Sequence, residues 1–222
     1  MSVITISRQY GSGGTTIAAQ LCEALNYRYL DKVLMTQVAA EVGISGHELA
    51  RLTEEQLRFK NFLERLFLPG RHSLVRAELR PKDAQQVEAL NTMLDDTRCA
   101  NLVREALLVA YDQGDVVIVG RGGQAVLQKL PAAFHVRIEA PMPDRILRIQ
   151  GQEKVDAETA LEMAQRHDRL SAQYLKRLYN VQWDDVTLYH IVVNTGKWEL
   201  EVATRMILGA YREWQAASAQ PS

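Results

Sequence analysis

The residues with the clearest chemical meaning lie near the N-terminus. Arg8-Gln9-Tyr10-Gly11-Ser12-Gly13-Gly14-Thr15-Thr16 follows a β-branched run, Val3-Ile4-Thr5-Ile6, and precedes apolar residues at helical spacing, Ile17, Ala18, Leu21, Cys22 and Leu25. A strand, a glycine loop and a helix in that order converge backbone N–H groups at a helix N-terminus, the place where a chain binds phosphate without needing a side chain. Against the Walker pattern G-x-x-x-x-G-K-[ST], Gly13 takes the second glycine and Thr15 the hydroxyl that would hold Mg²⁺. Arg8 stands where the first glycine belongs and Gly14 where the lysine belongs, so the point charge that bridges the β- and γ-phosphates is missing. A second phosphate-binding pattern competes: Gly11-x-Gly13 after a strand, with Asp31 twenty residues further on, also fits the opening of a dinucleotide-binding unit. That unit wants a third glycine where Thr16 stands and a shorter approach than Ser7 to Tyr10 provides. The longer loop suits a wrap around phosphates, and a glycine-rich turn without a ligand is the remaining alternative.

Further cations fall at loop ends or on one helix face. Arg121 follows the apolar run Val116 to Val119, and Arg166, Arg169, Gln173 and Lys176 recur at i+3 and i+4, so they share a face. Such a stripe is also what a solvated helix face looks like. Cations and oriented N–H groups suit phosphoryl transfer, where catalysis is positioning plus charge stabilisation and an attacking phosphate oxygen needs no general base. Other chemistries lack their residues: the five histidines are scattered without ligand or triad spacing, and no serine sits in a nucleophile elbow.

The elements that must position these groups alternate. Strands are predicted at Val3 to Ile6, Tyr27 to Leu30, Val116 to Val119, Phe134 to Ile138 and His190 to Val193, the later ones apolar on both parities, which argues a parallel sheet covered on both faces. About eighty residues separate the second and third strands, too many for one crossover, and they read as inserted helices. Ser45-x-x-Glu48 resembles a capping box, Pro69-Gly70 ends that helix, and Pro81 and Asp83 start another running toward Tyr111. Residues 51 to 82 carry eight basic residues against four acidic, which reads as a solvated face or a phosphate-facing patch. Helices over Asp144 to Gln150 and Ala157 to Tyr179 precede the fifth strand.

Composition sets the outer limits. The 222 residues, 47% hydrophobic and 24% charged, are enough for one domain with a sizeable core, and a net charge of −1 gives no global pull toward nucleic acid or anionic membrane. Apolar runs fall far short of the ~20 residues that span a bilayer, and Arg8 interrupts any signal-peptide core, so a cytoplasmic protein is expected. Cys22 and Cys99 lie far apart and suggest buried thiols, not a disulfide framework or zinc site.

Ile4-Thr5-Ile6 with the glycine loop, Tyr29-Leu30-Asp31, Val117-Ile118-Val119-Gly120-Arg121-Gly122, Phe134-His135-Val136-Arg137-Ile138-Glu139-Ala140, Arg166-x-x-Arg169 and Val192-Val193-Asn194-Thr195-Gly196 occur in the order seen in cytidylate kinases. Over nearly its full length the chain resembles the divergent cytidylate kinase-like family. The resemblance implies an α/β nucleoside monophosphate kinase fold of P-loop type: a five-stranded parallel sheet with helices on both faces in a single domain. Its core would be 1–31, 96–150 and 181–222, with an acceptor-binding helical insertion over 32–95 and a lid over 151–180. It further implies ATP-dependent transfer to a nucleoside monophosphate, CMP or dCMP first, with ATP and Mg²⁺ as cofactors and small-molecule nucleotides as partners. Carried over by residue, Gly11, Ser12, Gly13, Gly14, Thr15 and Thr16 hold the donor phosphates, with Thr15 on the metal. Arg8 is not carried over but stands in the loop where a folded-over guanidinium would reach the same phosphates and offset the charge missing at Gly14, a solvent-exposed Arg8 being the alternative. Asp31, Lys32 and Arg121 meet the acceptor, and Arg121, Arg166 and Arg169 carry catalysis. Three positions depart from the family pattern: Gly122 replaces the aspartate after the Arg, Lys32 replaces a serine, and Gln173 falls where the last lid arginine belongs, with Lys176 and Arg177 one turn on. These departures leave open a nucleotide-binding regulator that has lost transfer, and a kinase of a different small molecule.

Overall fold

Short runs, most of them β-branched, become the strands of one parallel sheet in a computed structural model that describes residues 2–31 and 100–218. The strands are β1 (Val3–Arg8), β2 (Arg28–Leu30), β3 (Val116–Val119), β4 (Ala133–Glu139) and β5 (Ile191–Asn194). Between and after them run α1 (Gly14–Leu25), α2 (Ala100–Gln113), α3 (Gly123–Val126), α4 (Met142–Glu153), α5 (Ala157–Tyr179), a 3-10 turn (Val186–Leu188) and α6 (Leu200–Ser218). Lys32, the 32–95 insertion with its Ser45 and Pro69-Gly70 signals, and Cys99 lie outside the described residues.

The strand order is β2-β3-β1-β4-β5. β1 pairs with β3, Ile6 opposite Val119, and with β4, Arg8 opposite Ile138. In a dinucleotide-binding sheet the second strand would lie against the first. Here β3 separates β2 from β1, so the dinucleotide alternative is overturned by the topology.

Both faces of the sheet are covered, as expected of parallel strands. Ile4, Ile6, Val117, Val119, Val136 and Ile138 face Ile17 and Leu21 of α1 and Ile207 and Tyr211 of α6. Val3, Val116 and Ile118 face Val103, Ala106, Leu107 and Ala110 of α2. β4 corrects the expectation that the later strands are apolar on both parities, because His135 and Arg137 are buried. Each has found partners: Thr5 Oγ1 and His135 Nδ1 share a 2.7 Å hydrogen bond. Arg137 donates from Nε to Glu139 Oε1 at 2.5 Å and stacks its guanidinium 4.5 Å from the Trp183 ring centre. Trp183 Nε1 donates to Ser7 Oγ at 2.9 Å, fixing the stretch between α5 and β5 onto the sheet. A buried cation is tolerable only when paired and hydrogen-bonded, and Arg137 is both.

Helix ends follow local chemistry. α5 has the bounds its periodicity predicts: Asp156 caps it by accepting from Thr159 N at 2.8 Å, and Asn180 closes it in the left-handed region at φ 53°. α4 is longer than the expected 144–150, because a proline in its first turn opens it early and Lys154, at φ 59°, closes it late. Among the described residues, no helix is long and apolar enough to cross a membrane.

Candidate functional site

The site is built where the C-terminal ends of β1, β3, β4 and β5 meet. β1 delivers the glycine loop to α1, whose N-cap Gly13 (φ 82°) supplies no side-chain cap. The first N–H groups of a helix have no partner within it. In α1 they open onto the loop beside the exposed hydroxyl-bearing Thr15 and Thr16. Gly11, at φ 79°, is required sterically as well: a Cβ there would lie 2.8 Å from the Arg145 carbonyl and 2.9 Å from Ile149. The loop is held from behind, since Thr195 Oγ1 donates to Ser12 O at 2.7 Å while Arg148 grips Thr195 O at 2.7 Å.

A clasp joins this loop to α5. Asp168 accepts from Tyr10 N at 3.1 Å and pairs with Arg145 Nη2 at 2.6 Å, and Arg145 Nε donates to Tyr10 O at 2.7 Å. The His167 ring stacks on Tyr10 with centroids 4.1 Å apart and planes 9° from parallel. Burial, then Glu153 at the end of α4, push the Tyr10 phenol up to about 12, so it remains a neutral donor to that carboxylate. Asp168, His167, Arg145, Arg148 and Thr195 were not identified as site residues from sequence. The Arg145-x-x-Arg148 pair, one helical turn apart just after a strand, is the signal that points to two of them.

The second half of the site follows β3. Gly120, Arg121 and Gly122 all adopt positive φ, at 76°, 56° and 72°. Arg121 is buried, its guanidinium 5.6 Å from the Tyr174 ring centre. A Cβ on Gly122 would lie 2.5 Å from Cε2 of Tyr179, which gives the departure from the family's aspartate a physical reason: the Tyr179 ring occupies the place of a side chain at 122. The hydroxyls of Tyr174 and Tyr179 are buried with no hydrogen-bond partner among the described residues. Buried polar groups are normally satisfied, so this corner beside Arg121 fits a polar ligand group.

The sequence-predicted residues divide into two groups. Arg8, Gly11, Ser12, Gly13, Gly14, Thr15, Thr16, Asp31 and Arg121 come together at this edge of the sheet. Arg166 and Arg169 do not: both are exposed, on the side of α5 opposite its buried Ala160, Ala164 and Leu175. The cationic stripe of Arg166, Arg169, Gln173 and Lys176 is thus the outer face of the helix in this arrangement, while its neighbours His167 and Asp168 meet the loop. Lys176 and Arg177 sit exposed in the last turn, where cations complement the helix dipole. Among the described residues no group of three or more His, Cys, Asp or Glu could hold a metal ion. Thr15, the residue expected to meet a metal ion, is exposed in the first turn of α1.

A glycine-rich loop between the first strand and helix, on a parallel sheet ordered 2-3-1-4-5, defines an α/β fold of the P-loop type. The model of the cytidylate kinase-like family matches residues 3–197, and the chain belongs to that family. It is 25% identical over 211 residues to a cytidylate kinase of Methanocaldococcus jannaschii, covering 94% of this chain and 96% of that one. A cytidylate kinase of Methanothrix thermoacetophila is likewise 25% identical over 211 residues, with 95% and 98% covered. The fold is shared with a solved, uncharacterized protein from Eubacterium ventriosum: TM-score 0.61, 22% identity, 96% of this chain and 99% of that chain covered. Family and fold together make the protein a nucleotide-kinase-like phosphotransferase.

Proposed function

We propose that the protein transfers the γ-phosphoryl group of ATP to a nucleoside monophosphate, with CMP and dCMP the first acceptors to test. The observation that carries this reading is the adjacency of two half-sites. The uncapped N-terminus of α1 and the buried Arg121 are delivered by β1 and β3, which are hydrogen-bonded neighbours. The names of the M. jannaschii and M. thermoacetophila relatives support cytidylate as acceptor.

In this mechanism the N–H groups from Gly11 to Thr16 cradle the donor phosphates, as a helix N-terminus favours anions. Thr15 would hold Mg²⁺, which supplies charge neutralisation on the donor phosphates when bound. Arg121 binds the acceptor phosphate bidentately, and Asp31, with Lys32, lies on the acceptor side. An anionic oxygen of the acceptor phosphate forms a bond to the γ-phosphorus as the bond from that phosphorus to the β-phosphate oxygen breaks. ADP leaves with the electron pair, and no proton has to move. Arg166 and Arg169 reach the transferring group only after α5 leaves its clasp on Tyr10 and turns its outer face inward, a closure that would also exclude water.

A screen of CMP, dCMP, UMP and small-molecule acceptors with ATP and Mg²⁺ tests the reading, with ADP formation measured against an acceptor-free blank. CMP- or dCMP-dependent ADP formation is expected. ATP binding without turnover on any acceptor would make the protein a nucleotide-binding regulator instead, and turnover only on a non-nucleotide would make it a kinase of another small molecule.

A further inference from the structure

The glycine loop lacks both the first glycine and the lysine of its pattern, and the structure shows that these two departures are one. Gly14 is glycine because the Arg8 stem lies over it: a Cβ at position 14 would sit 2.6 Å from Arg8 Cβ and 2.8 Å from Arg8 Cγ. Those are stem atoms next to the backbone, so they have little room to give. A long side chain at 8 and any side chain at 14 therefore exclude each other. The far end of Arg8 reaches the loop after β3, where a Cβ on Gly120 would lie 2.5 Å from Arg8 Nη1. From its root at the end of β1, the Arg8 side chain thus crosses the place of the missing lysine and ends between the donor loop and the Arg121 loop.

We propose that Arg8 performs the role of the absent P-loop lysine, holding the phosphoryl group at the junction between donor and acceptor. This rests on the nucleotide-kinase reading of the preceding section. A guanidinium is better suited than an ammonium to this path. It is planar and offers parallel N–H donors to two phosphate oxygens at once, whereas a lysine rooted at 14 approaches as a point charge. The electrostatic setting agrees with the geometry. Desolvation is the largest influence on Arg8 and lowers its pKa from the ordinary arginine value, Tyr29 and Asp31 pull it back up, and Arg121 lowers it. A half-buried cation beside a second cation gains from an arriving dianion. Asp31 moderates that repulsion before the ligand arrives.

The test uses the full chain with ATP, Mg²⁺ and the acceptor the wild type turns over, together with calorimetric ATP binding and thermal melts. Arg8→Ala should keep its melting behaviour but lose at least about tenfold in kcat or in ATP affinity. Arg8→Lys should recover part of that loss, and millimolar guanidinium should restore rate to Arg8→Ala specifically. Gly14→Lys alone should lower both activity and melting temperature, since the new stem meets Arg8. The double variant Arg8→Gly/Gly14→Lys should return activity well above that of Arg8→Gly. Wild-type kinetics in a folded Arg8→Ala protein would overturn the proposal by making Arg8 a structural counter-ion of Asp31. So would a folded double variant no more active than Arg8→Gly. If the wild type neither binds ATP nor transfers phosphate, the nucleotide-kinase reading itself falls, and the role of Arg8 with it.

Discussion

The clasp between α5 and the glycine loop depends on one carboxylate, and Asp168→Ala measures its worth. Removing it leaves the Arg145 guanidinium, whose side chain is only 3% exposed, with the Tyr10 carbonyl and, among the described residues, no counter-charge. Breaking a fully buried ion pair from one side costs about 3–5 kcal/mol. The Asp168 side chain is 19% exposed, so water reaches its place in the variant and lowers the expected loss to about 2–3 kcal/mol. For a chain of this size each kcal/mol moves the melting temperature by about 2–4 °C, so a drop of roughly 4–12 °C is expected. Asp168→Asn keeps an acceptor for Tyr10 N but not the charge, and should fall between the two. A double-mutant cycle with Arg145→Met, read by denaturant unfolding, should give a coupling energy of at least about 1 kcal/mol. An Asp168→Ala protein that melts with the wild type, with no coupling in the cycle, would refute the reasoning and make the contact an incidental surface pair.

His135, buried behind β1, is held down to about 4, by burial first and then by the neighbouring His190. Between that value and the ordinary one near 6.5 the unfolded chain binds more protons, so this stabilisation is complete above about pH 6.5 and is lost as pH falls toward 4, roughly 3 kcal/mol at most. Melts between pH 7 and 4 should show that slope and a His135→Gln variant should flatten it; equal slopes would remove His135 as its source. Arg121 and Arg169 should separate kinetically, because one contact precedes closure and the other requires it. Arg121→Ala should raise the acceptor KM, and Arg169→Ala should lower kcat by ~10²-fold with ATP affinity intact. Small equal losses in both would make the α5 stripe a solvated face.

Much of the architecture is legible because it rests on local signals. Short apolar runs, most of them β-branched, mark all five strands to within a residue or two, and the i+3, i+4 pattern of α5 gives its bounds. Sheet order was not readable by the same means, since a Gly-x-Gly after a strand serves both folds. The site was half legible. The glycine loop announces itself by composition, but the clasp joins Tyr10 to Asp168, 158 residues apart, and no local pattern encodes such a pair. The spacing of Arg166 and Arg169 correctly placed them on one face, yet spacing alone does not say which way a face points. Ala160, Ala164 and Leu175 decide that by packing inward. Gly122 read as a loss, because a sequence does not show that the Tyr179 ring occupies the space.

β2 lies at the edge of the described sheet, and β3, not β2, is stitched to β1. The chain therefore leaves for its longest excursion, after Asp31, from the periphery, and returns through α2 to the strand that flanks the centre. Among the described residues, the strand registers that bring the glycine loop beside Gly120 and Arg121 are those of β1 with β3 and β4. Residues between β2 and α2 can accordingly be exchanged, lengthened or shortened in evolution without shifting the two loops relative to each other. If that segment binds the acceptor, as the family resemblance implies, a lineage could retarget the acceptor while the frame that holds the two loops stays fixed, and a graft of that segment from a relative would be the natural unit of redesign.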